Sequence, residues 1–470
     1  MLKEHNLLSG WVKIFYNLNG KLNRFFLLIT LILSFVTVVR IGYDLLPTWK
    51  SSILGWEAYH IAQSLAVGEG YSFPSNHRWL FPPSNDGTFH PTAWVDPLYT
   101  FCLAALIWFF GPYHQLAAAI FNLCLLFTAL MLTYKLGERL LNAPLGFLAV
   151  IILVHRTYYF ACNVPYMNNT LLASVLILFS VLALLGYFQL PSISRSGVLG
   201  MILGFTVLGC PGTQFFILVT PLAILLVRWR ERRRVVWQAL TVTVAAVVII
   251  APWTIRNYLI FDEFVPVRTG TGMLAFTGVV AVAGAVDPNL VQSVVKPSWS
   301  EKNPRSAVML ANRKNDRIAL ENFQMLYIAE EVNPHRLNIM NEAQRDAWFL
   351  REAKVFLAEH PFLSIQLAAA KIEVFVRKVG RFGVLVFAFA ILGGALSIRH
   401  YPIMILAFWV GTYIAPFSLI ICYYIRYRSP IEPLLVIISL FAVHRLSTIF
   451  CNCIKFQSKY FAAKRNSISV

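Results

Sequence analysis

The stretch Glu57-Ala58-Tyr59-His60-Ile61-Ala62-Gln63-Ser64 sets a carboxylate, an imidazole and a hydroxyl at i, i+3 and i+7. On a helix that spacing lines up Glu57, His60 and Ser64 on one face, with Ala58, Ile61, Ala62 and Leu65 on the other. A carboxylate beside an apolar surface loses hydration, so its pKa rises toward working pH and it can serve as a general base. The plainer reading is an interfacial helix with a solvated polar face. Asp96, in Pro91-Thr92-Ala93-Trp94-Val95-Asp96-Pro97, precedes an apolar run and is either a helix cap or a second functional acid. Asp44 is a third candidate carboxylate. Arg256, Arg426 and Arg428 stand at the ends of apolar runs, and guanidinium pairs bidentately with phosphate oxygens. A salt bridge from Arg256 to Asp262, or to lipid headgroups, is the plainer alternative. His77, Arg78, Asp86 and His90 share one loop, but without the tight spacing of a metal site.

The elements that must position these groups are membrane helices. Of 470 residues, 58% are hydrophobic and only 13% charged, well away from soluble composition. Apolar runs lie at about 25–43, 115–134, 144–162, 171–189, 198–212, 215–228, 236–254, 383–398, 402–424 and 432–449, and about 20 apolar residues cross a bilayer as a helix. The run 97–110 is too short to cross and reads as a helix lying in the outer leaflet. The net charge of +18 is concentrated beside apolar runs, as at Lys21, Arg24 and Arg228 to Arg234. This is the positive-inside pattern and not a nucleic-acid surface. The seven cysteines are scattered and suggest no disulfide framework. No cleavable signal peptide is apparent, and the first apolar run reads as a retained span.

The expected organisation is a cytosolic segment 1–24 and a transmembrane module 25–254 containing a first outer loop, 44–114. A second outer loop, 255–380, follows, then C-terminal membrane helices 381–450 and a basic cytosolic tail 451–470. Loops of this length usually carry function. Within the second, Glu342, Arg345, Asp346, Arg351, Glu352 and Lys354 read as a solvated helix surface, and 361–378 as an amphipathic helix on the outer leaflet. His155 and Arg156 fall in the outer half of a span. The fold class is all-α and polytopic, with about ten to twelve membrane helices and short interfacial helices in two long extracytoplasmic loops.

Taken in order, the motifs resemble a family. Glu57 to Tyr71 shows acid-x-Tyr-x-x-Ala-x-x-Leu-x-x-Gly; Pro-Thr-x-Trp and Pro-Leu-Tyr follow at Pro91 to Tyr99. Pro-Trp-x-x-Arg-Asn-Tyr stands at Pro252 to Tyr258, and Arg-Tyr-Arg-x-Pro at Arg426 to Pro430. The chain is similar to the GT-C superfamily of membrane glycosyltransferases, near the family 39 branch of protein O-mannosyltransferases and aminoarabinose transferases. That resemblance implies an inverting hexosyl- or pentosyltransferase in the cell membrane, its site facing the periplasm or exterior. It implies a polyprenyl-phosphate sugar donor, a hydroxyl-bearing acceptor (lipid, glycan or protein) and a first-loop carboxylate as base. Glu57 is the first choice, with Asp96 and Asp44 as alternatives; Arg256, Arg426, Arg428, His60, Tyr59, Arg78 and His90 are candidates for the donor and its phosphate. Members vary in using a divalent metal ion, and no ligand cluster is evident here. The chain departs from the family at Gly55, where an Asp is common. It also departs at Cys210-Pro211-Gly212-Thr213, where some relatives carry Lys. Two other classes remain: a lipid or solute transporter or flippase, which would show paired broken helices, and a non-catalytic subunit of a glycan assembly system.

Overall fold

The computed structural model describes residues 2–45, 57–74, 88–155, 168–276, 278–279, 340–377, 380–398, 400–420 and 425–468. The elements are almost all helical. They run α1 (Leu2–Leu45), α2 (Glu57–Ala66), α3 (Pro97–Phe110), α4 (His114–Leu140), α5 (Ala143–His155), α6 (Thr170–Gln189), α7 (Ile193–Gly209), α8 (Phe216–Val227) and α9 (Arg232–Phe261). Then come α10 (Thr271–Phe276), α11 (Glu342–Glu359), α12 (Pro361–Arg377), α13 (Gly380–Leu396), α14 (Tyr401–Ile420), α15 (Ile425–Arg428) and α16 (Glu432–Ile468). Among the described residues six helical stretches are long and apolar enough to cross a membrane, and α12 with α13 passes only as a pair bent by 115°. Shorter apolar helices, Ala143–His155, Ile193–Gly209 and Pro211–Val227, lie among them. Within the described residues the apolar runs read from the sequence fall on these helices, as an all-α polytopic membrane protein requires.

Residues 97–140 are helical almost throughout, yet they do not form one rod. Tyr99 Oη donates to Asn122 Oδ1 at 3.0 Å, whereas a straight helix would separate those residues by roughly 35 Å. The chain reverses at Gly111 (φ 48°), so α3 folds back on α4. At its far end α4 returns to the middle of α1, where Tyr134 Oη donates to the Asn23 carbonyl at 3.2 Å. The bundle therefore has a basic end, with Lys21, Arg24, Lys135 and Arg139, and a loop end, with α2, α3, α10 and α11. The run 97–110 stays at the loop end, as expected from its length.

Glycines set the closest helix approaches, because only a missing side chain lets backbones meet. A Cβ at Gly200 or Gly204 of α7 would strike the carbonyls of Val242 and Ala246 on α9, and one at Gly393 of α13 would strike Ile438 of α16. In the loop region Gly272 of α10 sits on α11, where a Cβ would overlap the Asp346 carbonyl oxygen and lie 2.8 Å from the Leu350 nitrogen. Gly272→Ala should therefore cost about 1–3 kcal/mol, seen as a lowered thermal midpoint in detergent; an unchanged midpoint would contradict this packing.

Candidate functional site at the loop end

The first long loop carries a two-stranded antiparallel ribbon, β1 (Ser72–Pro74) with β2 (Phe89–Pro91), in the register Phe73↔His90. Beyond it, Asp96 occupies the N-cap position of α3, with φ −63° and ψ 127° and with Pro at the first helical positions, yet its side chain caps nothing. Its backbone is fixed instead by Thr100, whose hydroxyl donates to the Asp96 carbonyl at 3.0 Å. Tyr71 adds to this, donating its hydroxyl to the Val95 carbonyl at 2.8 Å. The carboxylate, 2% exposed, turns inward to two partners. Asn169, the N-cap residue of α6, donates from Nδ2 both to Asp96 Oδ2 and to the Gly209 carbonyl, the latter at 2.9 Å. Arg268 Nη1 lies 3.4 Å from Asp96 Oδ1.

Arg268 is delivered by the outer end of α9. Asn257 Nδ2 donates to the carbonyls of Val265 (3.1 Å) and Val267 (3.2 Å), which holds the returning chain against the helix. The result is a buried acid beside a guanidinium that is 24% exposed. Asp96 and Asn169 are the N-cap residues of α3 and α6, so their contact joins the starts of the two helices.

Sequence reasoning passed over Arg268 and Asn169. Arg268 did carry a signal, a cation on the outer side of a span, against the positive-inside rule. It also treated the start of α11 as solvated surface, and here the structure differs. Glu342 is only 6% exposed. Thr92 Oγ1 donates to its Oε2 at 2.7 Å, and Ala93 N–H (3.0 Å) and the Thr269 hydroxyl donate to Oε1. Asp346, one turn on, accepts the Met273 N–H at 3.0 Å. These carboxylates receive the polar backbone of two loops, which water would otherwise have to satisfy.

Burial pushes the Glu342 carboxyl up from its ordinary value of 4.5, against the opposing pull of its Thr269, Thr92 and Ala93 donors. Burial also raises Asp346, against backbone donors and Arg268. Both groups thus hold protons in the fold that the unfolded chain has already released. The stability they contribute is complete below the ordinary carboxylate range and is lost as pH rises through their raised values. The thermal midpoint should fall as pH rises above about 4.5, and Glu342→Gln should flatten that dependence.

The other expected residues are dispersed. Glu57, at the first turn of α2, is half-buried and acts electrostatically on His60. Burial lowers the His60 pKa against the opposing effects of Glu57 and Gln63. Ser64 does not share a polar row with them: it is 2% exposed and donates to the His60 carbonyl at 3.2 Å. Tyr59 is a packing residue, its ring stacked on His114 and its hydroxyl 2.7 Å from His114 Nε2. Asp44 is exposed and 4.0 Å from Arg40. His90 lies on β2, with Nε2 3.4 Å from the Thr88 hydroxyl.

Arg256 is turned to the first loop, where Nη1 donates to the Thr92 carbonyl at 2.7 Å and Nη2 to the Tyr71 carbonyl at 2.9 Å. Arg428, a candidate for the donor phosphate, is 1% exposed and paired with Glu432 at 2.6 Å. Arg426 lies on α15, with its side chain outside the described residues, and Arg78 and Arg156 lie outside them altogether. His155 is an exposed terminal residue of α5. Among the described residues no three His, Cys, Asp or Glu side chains gather where they could hold a metal ion.

No family model and no curated protein matches the chain. Among solved structures it is similar to the archaeal oligosaccharyltransferase AglB from Archaeoglobus fulgidus in complex with an inhibitory peptide and a dolichol-phosphate. The two share 11% identity at a TM-score of 0.48, over 93% of this chain and 52% of that one. It is also similar to an Archaeoglobus fulgidus oligosaccharyltransferase in complex with Zn and sulfate, at 14% identity and a TM-score of 0.48, over 91% of this chain and 49% of that one. The chain thus spans about half the length of these proteins.

Proposed function

We propose that the chain transfers a sugar from a polyprenyl-phosphate donor to an acceptor hydroxyl at the loop end of the bundle, on the extracytoplasmic face of the membrane. The observation that carries this reading is the buried Asp96 carboxylate beside the partly exposed Arg268 guanidinium, where the two outer loops converge on helix N-termini. An acid beside a cation is what transfer from a phosphate-linked donor needs. The acceptor oxygen attacks the anomeric carbon while the bond from that carbon to the phosphate oxygen breaks. The phosphate leaves with the electron pair, its charge met by Arg268, and the acceptor proton passes to Asp96. A single displacement inverts the anomeric centre. The motif order from Glu57 to Pro430 supports the same chemistry by resemblance. Positive-inside charge at the opposite end of the bundle supports the sidedness.

The test uses the full chain in detergent or liposomes with radiolabelled polyprenyl-phosphate sugars, with and without a divalent cation. Release of free polyprenyl phosphate together with glycosylated acceptor is expected. Donor binding without turnover under every acceptor tried would refute the enzymatic reading in favour of a non-catalytic subunit. Movement of intact donor across the liposome would refute it in favour of a flippase.

A further inference from the structure

The Asp96–Arg268 pair is assembled from two loops that are far apart in sequence. Asp96 belongs to the segment that follows the β1–β2 ribbon, and Arg268 to the segment that follows α9. The backbones meet once, where Thr269 N–H donates to the Ala93 carbonyl at 2.9 Å. The end of α9 holds both segments, through Arg256 on one side and Asn257 on the other, and a further set of ties runs through one side chain on a third element. Glu342 takes Thr92 and Ala93 from the Asp96 side and Thr269 from the Arg268 side. Those residues lie three and four positions before Asp96, and one position after Arg268.

The platform beneath Glu342 is itself anchored. Asn341 caps α11 in a capping box with Gln344, and its Nδ2 donates to the carbonyl of Phe261, the last residue of α9, at 2.8 Å. A turn further along α11, Asp346 accepts from Met273, so the chain after Arg268 is gripped at two points by carboxylates spaced i, i+4.

We propose that Glu342 is a positioning residue that clamps the two outer loops together and so sets the spacing between Asp96 and Arg268. The proposal rests on the functional reading above for its catalytic consequence, but not for its structural one. Glutamine at 342 keeps an acceptor oxygen for Ala93 N–H and Thr269, and the Thr92 hydroxyl can turn to accept from the new amide. Alanine removes all three Glu342 ties at once. Misplacing a reacting group by about 1 Å costs about 100-fold in rate.

The experiment measures two quantities on the full chain in detergent: hydrogen–deuterium exchange of peptides covering 91–96 and 268–273, and sugar-transfer kinetics. Glu342→Ala is expected to raise exchange in both peptides together, with the membrane helices unchanged, and to lower kcat by about 100-fold with donor KM held within about threefold. Glu342→Gln should restore protection and most of kcat. Thr269→Val, which removes one donor and leaves the carboxylate in place, supplies a milder variant should Glu342→Ala fail to fold; it should loosen 268–273 more than 91–96. Loosening of neither peptide, or of only one, in Glu342→Ala or in its substitute would overturn the clamp. So would a Glu342→Gln variant that loses transfer as fully as alanine with exchange unchanged. If the wild-type chain transfers no sugar at all, the exchange result still decides the clamp, so the two failures are distinguishable.

Discussion

Asp96→Asn is expected to lower sugar transfer by about 10²- to 10⁴-fold while leaving the bundle folded. Asparagine matches the shape and keeps an acceptor oxygen for Asn169, so the ends of α3 and α6 stay joined. It can neither take the acceptor proton nor balance the charge of Arg268, 3.4 Å away. The loss should fall on kcat, because a base acts in the transition state and not in donor binding. Initial rates at saturating donor, with a thermal midpoint taken in parallel, check this. Glu57→Gln is the necessary comparison, since Glu57 carries the base role in the motif resemblance. With its described interaction running along α2 to His60 and not to Arg268, its loss should be below about tenfold. An active Asp96→Asn beside an inactive Glu57→Gln would move the site to α2.

Removing Arg428 should give the largest loss of stability. Its Nε donates to Glu432 at 2.6 Å, and its Nη atoms donate to the carbonyls of Phe375 (2.9 Å), Val376 (3.4 Å) and Gly383 (3.2 Å). The first two are last-turn carbonyls of α12, which have no partner within their own helix, and a cation there also suits the helix dipole. Arg428 therefore holds the 115° bend between α12 and α13 and neutralises a carboxylate that is 0% exposed. Arg428→Met leaves that carboxylate buried and uncompensated, at a cost of about 3–5 kcal/mol. The double variant Arg428→Met/Glu432→Leu should recover part of the loss, because it removes both charges and leaves only the carbonyls unpaired. Thermal midpoints of both variants in detergent measure the coupling. A double variant less stable than the single would show that Glu432 supports the fold through some other contact.

The sequence alone determined the membrane character and the helices. A span must be long, apolar and continuous because lipid offers no partner to a backbone amide, and this constraint is local, so it can be read residue by residue. The reading of 97–110 as too short to cross rests on its length and on the basic residues at Lys21, Arg24 and Arg228 to Arg234; the structure shows it folded back on α4. Asp96 was marked as a candidate by its place before Pro97, but cap and functional acid could not be told apart there, since both begin with an acid at a helix mouth. The tertiary structure shows that the side chain makes no cap bond to its own helix and meets Asn169 and Arg268. It likewise decided that Arg256 and Arg428 serve backbone carbonyls, and that Glu342 is buried in a helix whose composition looks solvated. Hydropathy reports the average cost of burying a side chain. Whether a particular charge is buried depends on partners brought from 172 or 249 positions away, and no local pattern records where those partners will be.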